Sequence, residues 1–175
     1  MLIECWFDGA CEPVNPHGHA SYGALVRSGM RTLFSESGYV GFGEGMSNNV
    51  AEYAGIIAVM KFLAGANVRQ AIIFGDSKLV VKQMNGRWRA KRGAYLPFYK
   101  EAIKLRAQLP EVAIRWIPRE RNGEADALSR QAIREVPRSD SKERELKKLI
   151  QEQREDRHDP RFKVVASKSV KGCPF

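Results

Sequence analysis

Residues 5–16 read CWFDGACEPVNP, an apolar run that stops on an acid and passes at once into small and turn-forming residues. Just ahead of the acid, Ile3, Cys5 and Phe7 alternate with Leu2, Glu4 and Trp6. Both faces are largely apolar, which predicts a central strand over residues 2–8 ending on Asp8. Asp76 in IIFGDSKLV (72–80) closes an apolar run in the same way, while Glu52 in SNNVAEYAGI (47–56) and Asp126 in RNGEADALSR (121–130) lie near the starts of segments with helical character. Carboxylates in apolar surroundings are costly to desolvate and repel one another unless a cation neutralises them. Oxygen ligands with no Cys or His partner suit magnesium or manganese rather than zinc. Asp8, Glu52, Asp76 and Asp126 therefore form a candidate divalent-metal site.

The elements around these acids set the fold class. CEPVNPHGH is turn chemistry, and ASYGALVRS and RTLFSESGYV read as two strands hinged at Gly29. A helix follows, with Ser47, Asn48 and Asn49 as cap candidates and Gly65 as its C-terminal cap. QAIIFGD reads as a buried strand and SKLVVKQMNG as a short helix from Ser77. Residues 94–109 read as a helix broken near its start by Pro97, VAIRWIP as the fifth strand, and RNGEADALSRQAIRE as a last helix. The order βββαβααβα predicts an α/β fold, a five-stranded mixed sheet flanked by helices. Some acids also fit plain capping roles: Asp76 precedes a helix, and Asn49-x-x-Glu52 is a capping box.

The chain has 29 Lys+Arg against 20 Asp+Glu, a formal net charge of +9, which favours a polyanionic partner such as nucleic acid. No apolar run approaches the roughly 18 residues of a membrane span, and no leader pattern precedes LIECWFDGA. A cytoplasmic protein is expected, and Cys5, Cys11 and Cys173, without CxxC spacing, read as reduced thiols. From residue 137 the composition shifts to 11 Lys+Arg and 7 Asp+Glu with few large apolar residues. The expected organisation is a compact domain over 1–136 and a charged extension over 137–175. Within the extension, Leu146, Leu149 and Ile150 form a helical stripe, and a short strand in 159–175 is one option.

With its elements in this order, the chain resembles type 1 ribonuclease H over residues 1–136. FDGA, NNVAEY, GDSKLVV and NGEADALS, each on its own element, carry the resemblance. It implies the ribonuclease H-like fold and endonucleolytic hydrolysis of the RNA strand of RNA–DNA hybrids, leaving 5′-phosphomonoesters. Asp8, Glu52, Asp76 and Asp126 would then hold two magnesium or manganese ions. Asn15, Asn48 and Asn49 match positions that touch the RNA 2′-hydroxyls, and Asn122 matches another substrate contact. An Asn side chain both donates to and accepts from a 2′-hydroxyl. The partner implied is an RNA–DNA hybrid, with a monomeric protein and no membrane.

The departures are specific. The loop before the last helix is PRERN, without the histidine that better-known bacterial members carry there, as in the handle-less, archaeal-like subgroup. Arg119 is the candidate to act near the scissile phosphate in its place, by pairing rather than as a base. Lys78 stands where the family commonly has Gln, retaining attraction for phosphate. In place of a basic handle helix there is only GRWRAKRGAY, where Arg87, Arg89, Lys91 and Arg92 accompany Trp88. That mix suits a nucleic-acid backbone groove. His17 and His19 lie in a Pro/Gly turn without a third ligand and read as structural. The fold also carries resolvases and exonucleases, so a different nuclease, or a hybrid-binding module without catalysis, stays open.

Overall fold

β1 (Ile3–Glu12) carries the alternation that its sequence announces: Cys5 and Phe7 are fully buried on one face, while Trp6 and Asp8 take the other. It pairs antiparallel with β2 (His19–Ser28) and parallel with β4 (Ala71–Gly75), and is thus the central strand. In this computed structural model, which describes residues 2–136 and 144–152, the sheet order is β3-β2-β1-β4-β5. β3 (Arg31–Phe42) and β5 (Val112–Trp116) are the edges. The element order is the predicted βββαβααβα, with a 3-10 turn at Arg119–Arg121 before the last helix. β1 outruns its expected end at residue 8 because β2 continues the ladder through Ala10–Ser21, Cys11–Ala20 and Glu12–His19.

Two helices grip the sheet from opposite faces. α1 (Asn48–Gly65) shares a core with Cys5, Phe7, Ala24 and Val26 through Tyr53, Ile56, Met60 and Leu63. α2 (Lys78–Met84) and α3 (Leu96–Ala107) extend that layer. α4 (Gly123–Glu135) crosses the other face of β1, β2 and β3. The hydroxyls of Ser21 and Ser37 donate to the α4 carbonyls of Ser129 and Leu128. Gly23 lies so close to α4 that an added Cβ would fall 2.2 Å from the Ala125 carbonyl oxygen.

Three local expectations are corrected. Gly65 is the last helical residue of α1 and not its cap. Asn67 takes the left-handed conformation (φ 52°), and Val68 N–H and Asn67 N–H return to the Leu63 and Ala64 carbonyls at 2.9 and 3.2 Å. That is a Schellman ending built on Asn, which tolerates this region. Ser47, not Asn49, caps the start, accepting from Val50 N–H at 3.3 Å, so the Asn49–Glu52 capping box does not form. Pro97 does not break α3 but sits in its first turn, where a missing N–H costs nothing. Residues 85–95 contain no helix, so a handle is absent there.

The chain divides into two units, Met1–Pro137 and Arg138–Phe175. In the second, residues 144–152 are helical, with Leu146, Leu149 and Ile150 partly buried and the intervening residues exposed. The strand considered in 159–175, and Cys173, fall outside the described residues.

On the sheet face opposite α4, α1 comes equally close at Gly9, where an added Cβ would lie 2.2 Å from the Glu52 backbone nitrogen and 2.6 Å from the Ala51 carbonyl carbon. Backbone cannot yield as a side-chain tip can. Gly9→Ala is expected to destabilise the fold by about 2 kcal/mol or more, in the range of overpacked cores. Because the clash falls on Glu52 itself, manganese affinity should drop as well. Urea unfolding and calorimetric manganese titration of the variant check both.

Candidate active site

Asp8, Glu52 and Asp76 each offer a carboxylate oxygen, and the three atoms lie within 4.8 Å of one another. Each acid reaches that point from a different element. Asp8 rides the central strand, held beneath by the Asn122 amide, which donates to the Phe7 carbonyl at 2.9 Å. Its Oδ2 accepts from the Ser129 hydroxyl of α4 at 2.7 Å. Glu52 lies in the first turns of α1 where that helix meets β1, and it is 4% exposed. Its Oε1 accepts from Asn48 Nδ2 at 3.3 Å, while Oε2 is buried without any partner. Asp76 follows β4 directly, and its backbone carbonyl accepts from the Trp116 indole at 3.0 Å.

Asp126 faces the same cleft of about 480 Å³ but stands apart from that trio. It is held between two guanidinium groups. Arg119 Nη2 donates to its Oδ1 at 2.6 Å and Arg130 Nε to its Oδ2 at 3.1 Å, while Arg130 Nη1 pairs with Glu12 at 2.9 Å. The fourth acid is thus neutralised by arginines where the other three are not.

The electrostatics follow from this division. Burial, with the nearby charges of Asp76 and Asp126, pushes Asp8 up from 3.8 to about 7 despite the Ser129 hydrogen bond. Glu52 is raised well above the ordinary carboxylate range by burial first and by Asp8 and Asp76 second. An unpartnered buried oxygen and three converging carboxylates are what a hard divalent cation would satisfy, so the donor set fits magnesium or manganese. Asp8, Glu52 and Asp76 would hold it, with Asp126 available beside them.

The other expected site residues are distributed unevenly. Arg119 and Asn48 line the cleft. Asn15 Oδ1 accepts the Asn48 backbone N–H at 2.9 Å, bolting the β1–β2 loop to the start of α1, and Asn49 is partly buried beside it. Asn122 is 1% exposed. It supports β1 from inside and does not present itself to a substrate, which corrects the expected contact. Lys78 is exposed with its ammonium 5.1 Å from the Trp116 ring centroid. Arg87, Trp88, Arg89, Lys91 and Arg92 do not line the cleft. Trp88 is 46% exposed with the Lys82 ammonium 4.4 Å from its centroid, and buried Gln83 anchors the segment by donating to the Arg89 carbonyl at 3.3 Å.

Glu12, Trp116 and Arg130 line the cleft and Ser129 bonds to Asp8, and reading the sequence missed all four. Arg130 had a legible signal, its i,i+4 spacing from Asp126. Ser129 had none, because its partner Asp8 is 121 residues away.

The chain is similar in sequence and fold to several known proteins. The reverse transcriptase-like family profile matches residues 6–132. The N-terminal RNase H domain of Rv2228c from Mycobacterium tuberculosis superposes with TM-score 0.66 at 35% identity, covering 73% of this chain and 95% of that one. The chain belongs to the type 1 ribonuclease H family. This ribonuclease H-family chain is also similar to RNase H1 of the archaeon Halobacterium salinarum, with TM-score 0.68 at 28% identity, covering 78% and 100% of the two chains. LC11-RNase H1, solved in complex with an RNA/DNA hybrid, matches with TM-score 0.64 at 27% identity over 72% and 92%. Against whole proteins the span is shorter. The chain is 35% identical over 136 residues to bifunctional protein Rv2228c but covers only 37% of it. It is 32% identical over 131 residues to the halobacterial ribonuclease HI and covers 64% of it.

The raised carboxylates give the metal-free ribonuclease H domain a specific pH dependence. Asp8 binds its proton more tightly folded than unfolded, so its stabilising contribution is complete below about pH 4 and is lost as pH rises through about 7. Glu52 acts in the same direction. Metal-free protein should therefore melt at a lower temperature at the high end of this window. Asp8→Asn should flatten the dependence, and magnesium should restore the wild type most at high pH. Melting curves of both proteins between roughly pH 4 and pH 8, with and without magnesium, measure this.

Proposed function

We propose that the domain hydrolyses the RNA strand of RNA–DNA hybrids as a metal-dependent endonuclease, leaving 5′-phosphomonoesters. The observation that carries the reading is the convergence of Asp8, Glu52 and Asp76 within 4.8 Å, with Glu52 Oε2 left unpartnered. Two magnesium or manganese ions, when bound, would supply an activated water and charge stabilisation for the leaving 3′ oxygen. The chain's own residues do the rest. Arg119 and Arg130 place guanidinium groups in the cleft, suited to a phosphodiester by their planar donor pairs.

Asn15, Asn48 and Asn49 are the proposed readers of the 2′-hydroxyl. Asn15 spends its oxygen on the Asn48 N–H and keeps its amide donors, while Asn48 spends a donor on Glu52 and keeps its oxygen. The pair offers a donor and an acceptor side by side, which a ribose hydroxyl satisfies and a deoxyribose cannot. Lys78 and the Arg87–Arg92 segment would track phosphates at the rim. Asn122 enters as a support for β1. Among the described residues no helix is long and apolar enough to cross a membrane. Cys5 and Cys11 are buried and free, in keeping with a reducing cytoplasm, and a monomer is proposed.

End-labelled RNA–DNA hybrid, double-stranded RNA and double-stranded DNA, each incubated with and without magnesium or manganese, test the proposal. Metal-dependent cleavage confined to the RNA of the hybrid is expected, and its absence with both metals would overturn it. Asp76→Asn should abolish cleavage while hybrid binding stays largely intact, since affinity comes mainly from phosphate contacts. Near-normal turnover in that variant would remove Asp76 from the catalytic set.

Replacing Arg87, Arg89, Lys91 and Arg92 together should weaken binding and flatten its salt dependence, with turnover at saturation little changed. Each lost phosphate contact lowers the log–log salt slope by about 0.7–0.9. An unchanged slope, measured by anisotropy across a salt series, would place the hybrid elsewhere. A chain ending at Val136 is proposed to retain folding and cleavage, because every site residue precedes that point; thermal melting and kinetics of the truncated protein decide it.

A further inference from the structure

Trp116, the last residue of β5, is 44% exposed at the rim of the carboxylate cleft, where a large indole gains little from burial. Its two polar interactions run to the same short turn between β4 and α2. Nε1–H donates to the Asp76 backbone carbonyl at 3.0 Å, and the Lys78 ammonium lies 5.1 Å from the ring centroid. The next residue adds a third tie, Ile117 N–H to the Gly75 carbonyl at 3.0 Å. Ser77, between Asp76 and Lys78, accepts from Val80 N–H at 3.4 Å and starts α2. The turn that presents Asp76 is therefore fastened on one side by its own helix cap and on the other by the end of β5.

We infer that Trp116 is a positioning residue for the proposed nuclease site: its indole N–H fixes the turn that presents the Asp76 carboxylate, and its ring holds the Lys78 ammonium ready for a phosphodiester of the bound strand. The inference rests on the proposed function and deepens it. Among the described residues Asp76 has no side chain hydrogen-bonded to its carboxylate, whereas Asp8 has Ser129 and Glu52 has Asn48. Its orientation depends on backbone, and the backbone oxygen at that residue is the one that Trp116 occupies. Groups one step behind a metal ligand set its aim in this way. Lys78 forms no ion pair among the described residues, so its charge is open to an anion. A lysine side chain alone samples many rotamers, and contact with a π face narrows them before the phosphate arrives.

The test separates the two roles of the ring. Trp116→Phe keeps a π face and loses the N–H. Its calorimetric manganese affinity should fall about tenfold, as for loss of an orienting partner, with hybrid KM near wild type and kcat recovered at high manganese. Lys78→Met should leave manganese affinity unchanged, raise KM and lower the salt slope of metal-free hybrid binding by about 0.7–0.9. Trp116→Ala should show both effects; if it fails to fold, Trp116→Leu, with bulk but no π face, gives the same reading. Hybrids with a single neutral methylphosphonate in the RNA or in the DNA strand identify which strand Lys78 meets. In the Lys78→Met background that one substitution should no longer weaken binding.

Wild-type manganese affinity in Trp116→Phe would overturn the first role, and a wild-type salt slope in Trp116→Leu the second. Wild-type protein that fails to cut the hybrid would count against the nuclease reading alone, since the manganese titrations and salt slopes are read without cleavage.

Discussion

Electrostatic repulsion among three carboxylates within 4.8 Å, two of them buried, is the constraint around which the molecule is organised. Among the described residues no cationic side chain forms an ion pair with these three, since the two arginines at the cleft are engaged with Asp126. The cost is carried by the core. Phe7, Tyr53, Ile56 and Ile73 fill the space just behind the acids and hold the strand ends and α1 together against it. The site is built on rigid elements because anything softer would let the acids move apart.

The same constraint explains the unequal treatment of the four acids. Asp8 and Glu52 are raised toward neutrality by burial, whereas Asp126 stays paired at the cleft wall. Two chemical environments thus sit side by side. One is deprived of positive charge and open to a hard cation, and the other supplies guanidinium groups for an anion. The proposed phosphodiester substrate, with its metal, would need both. Buried Gln83, bonded to Tyr53 at 2.6 Å and to the Arg89 carbonyl, ties the exposed basic segment into the same core.

The fold was legible where one side chain pattern decided one element. The β1 alternation, the Gly29 hairpin and the apolar faces of α1 and β4 all read correctly from local residues. Asp8 and Asp76 stood out because an acid closing an apolar run is locally conspicuous, whereas Glu52 and Asp126, inside helical segments, stood out only by the motifs NNVAEY and NGEADALS. What stayed hidden depends on distant pairing. The extra length of β1 is set by β2, Asn67 replaces Gly65 as the turning residue through bonds back to Leu63 and Ala64, and Asn122 is withdrawn from solvent by a carbonyl 115 residues away. Trp116 looked like an ordinary strand end, and only the parallel β4–β5 register, with Gly75 beside Trp116, brings it to Asp76.

The seat of α4 has a further consequence. That helix buries only Ala125, Ser129 and Ala132 and is tied to the sheet by the hydroxyls of Ser21 and Ser37 and by the Arg27–Glu124 and Arg130–Glu12 ion pairs. It delivers Asp126, Arg130 and the hydroxyl that steadies Asp8, while the apolar core lies on the opposite face with α1. Lifting α4 would dismantle the cleft and leave most of the core intact. Units with few buried apolar contacts open at lower free energy than the whole molecule. Heating should then open the segment that carries Asp126 and Arg130 at temperatures where circular dichroism is still that of the native sheet.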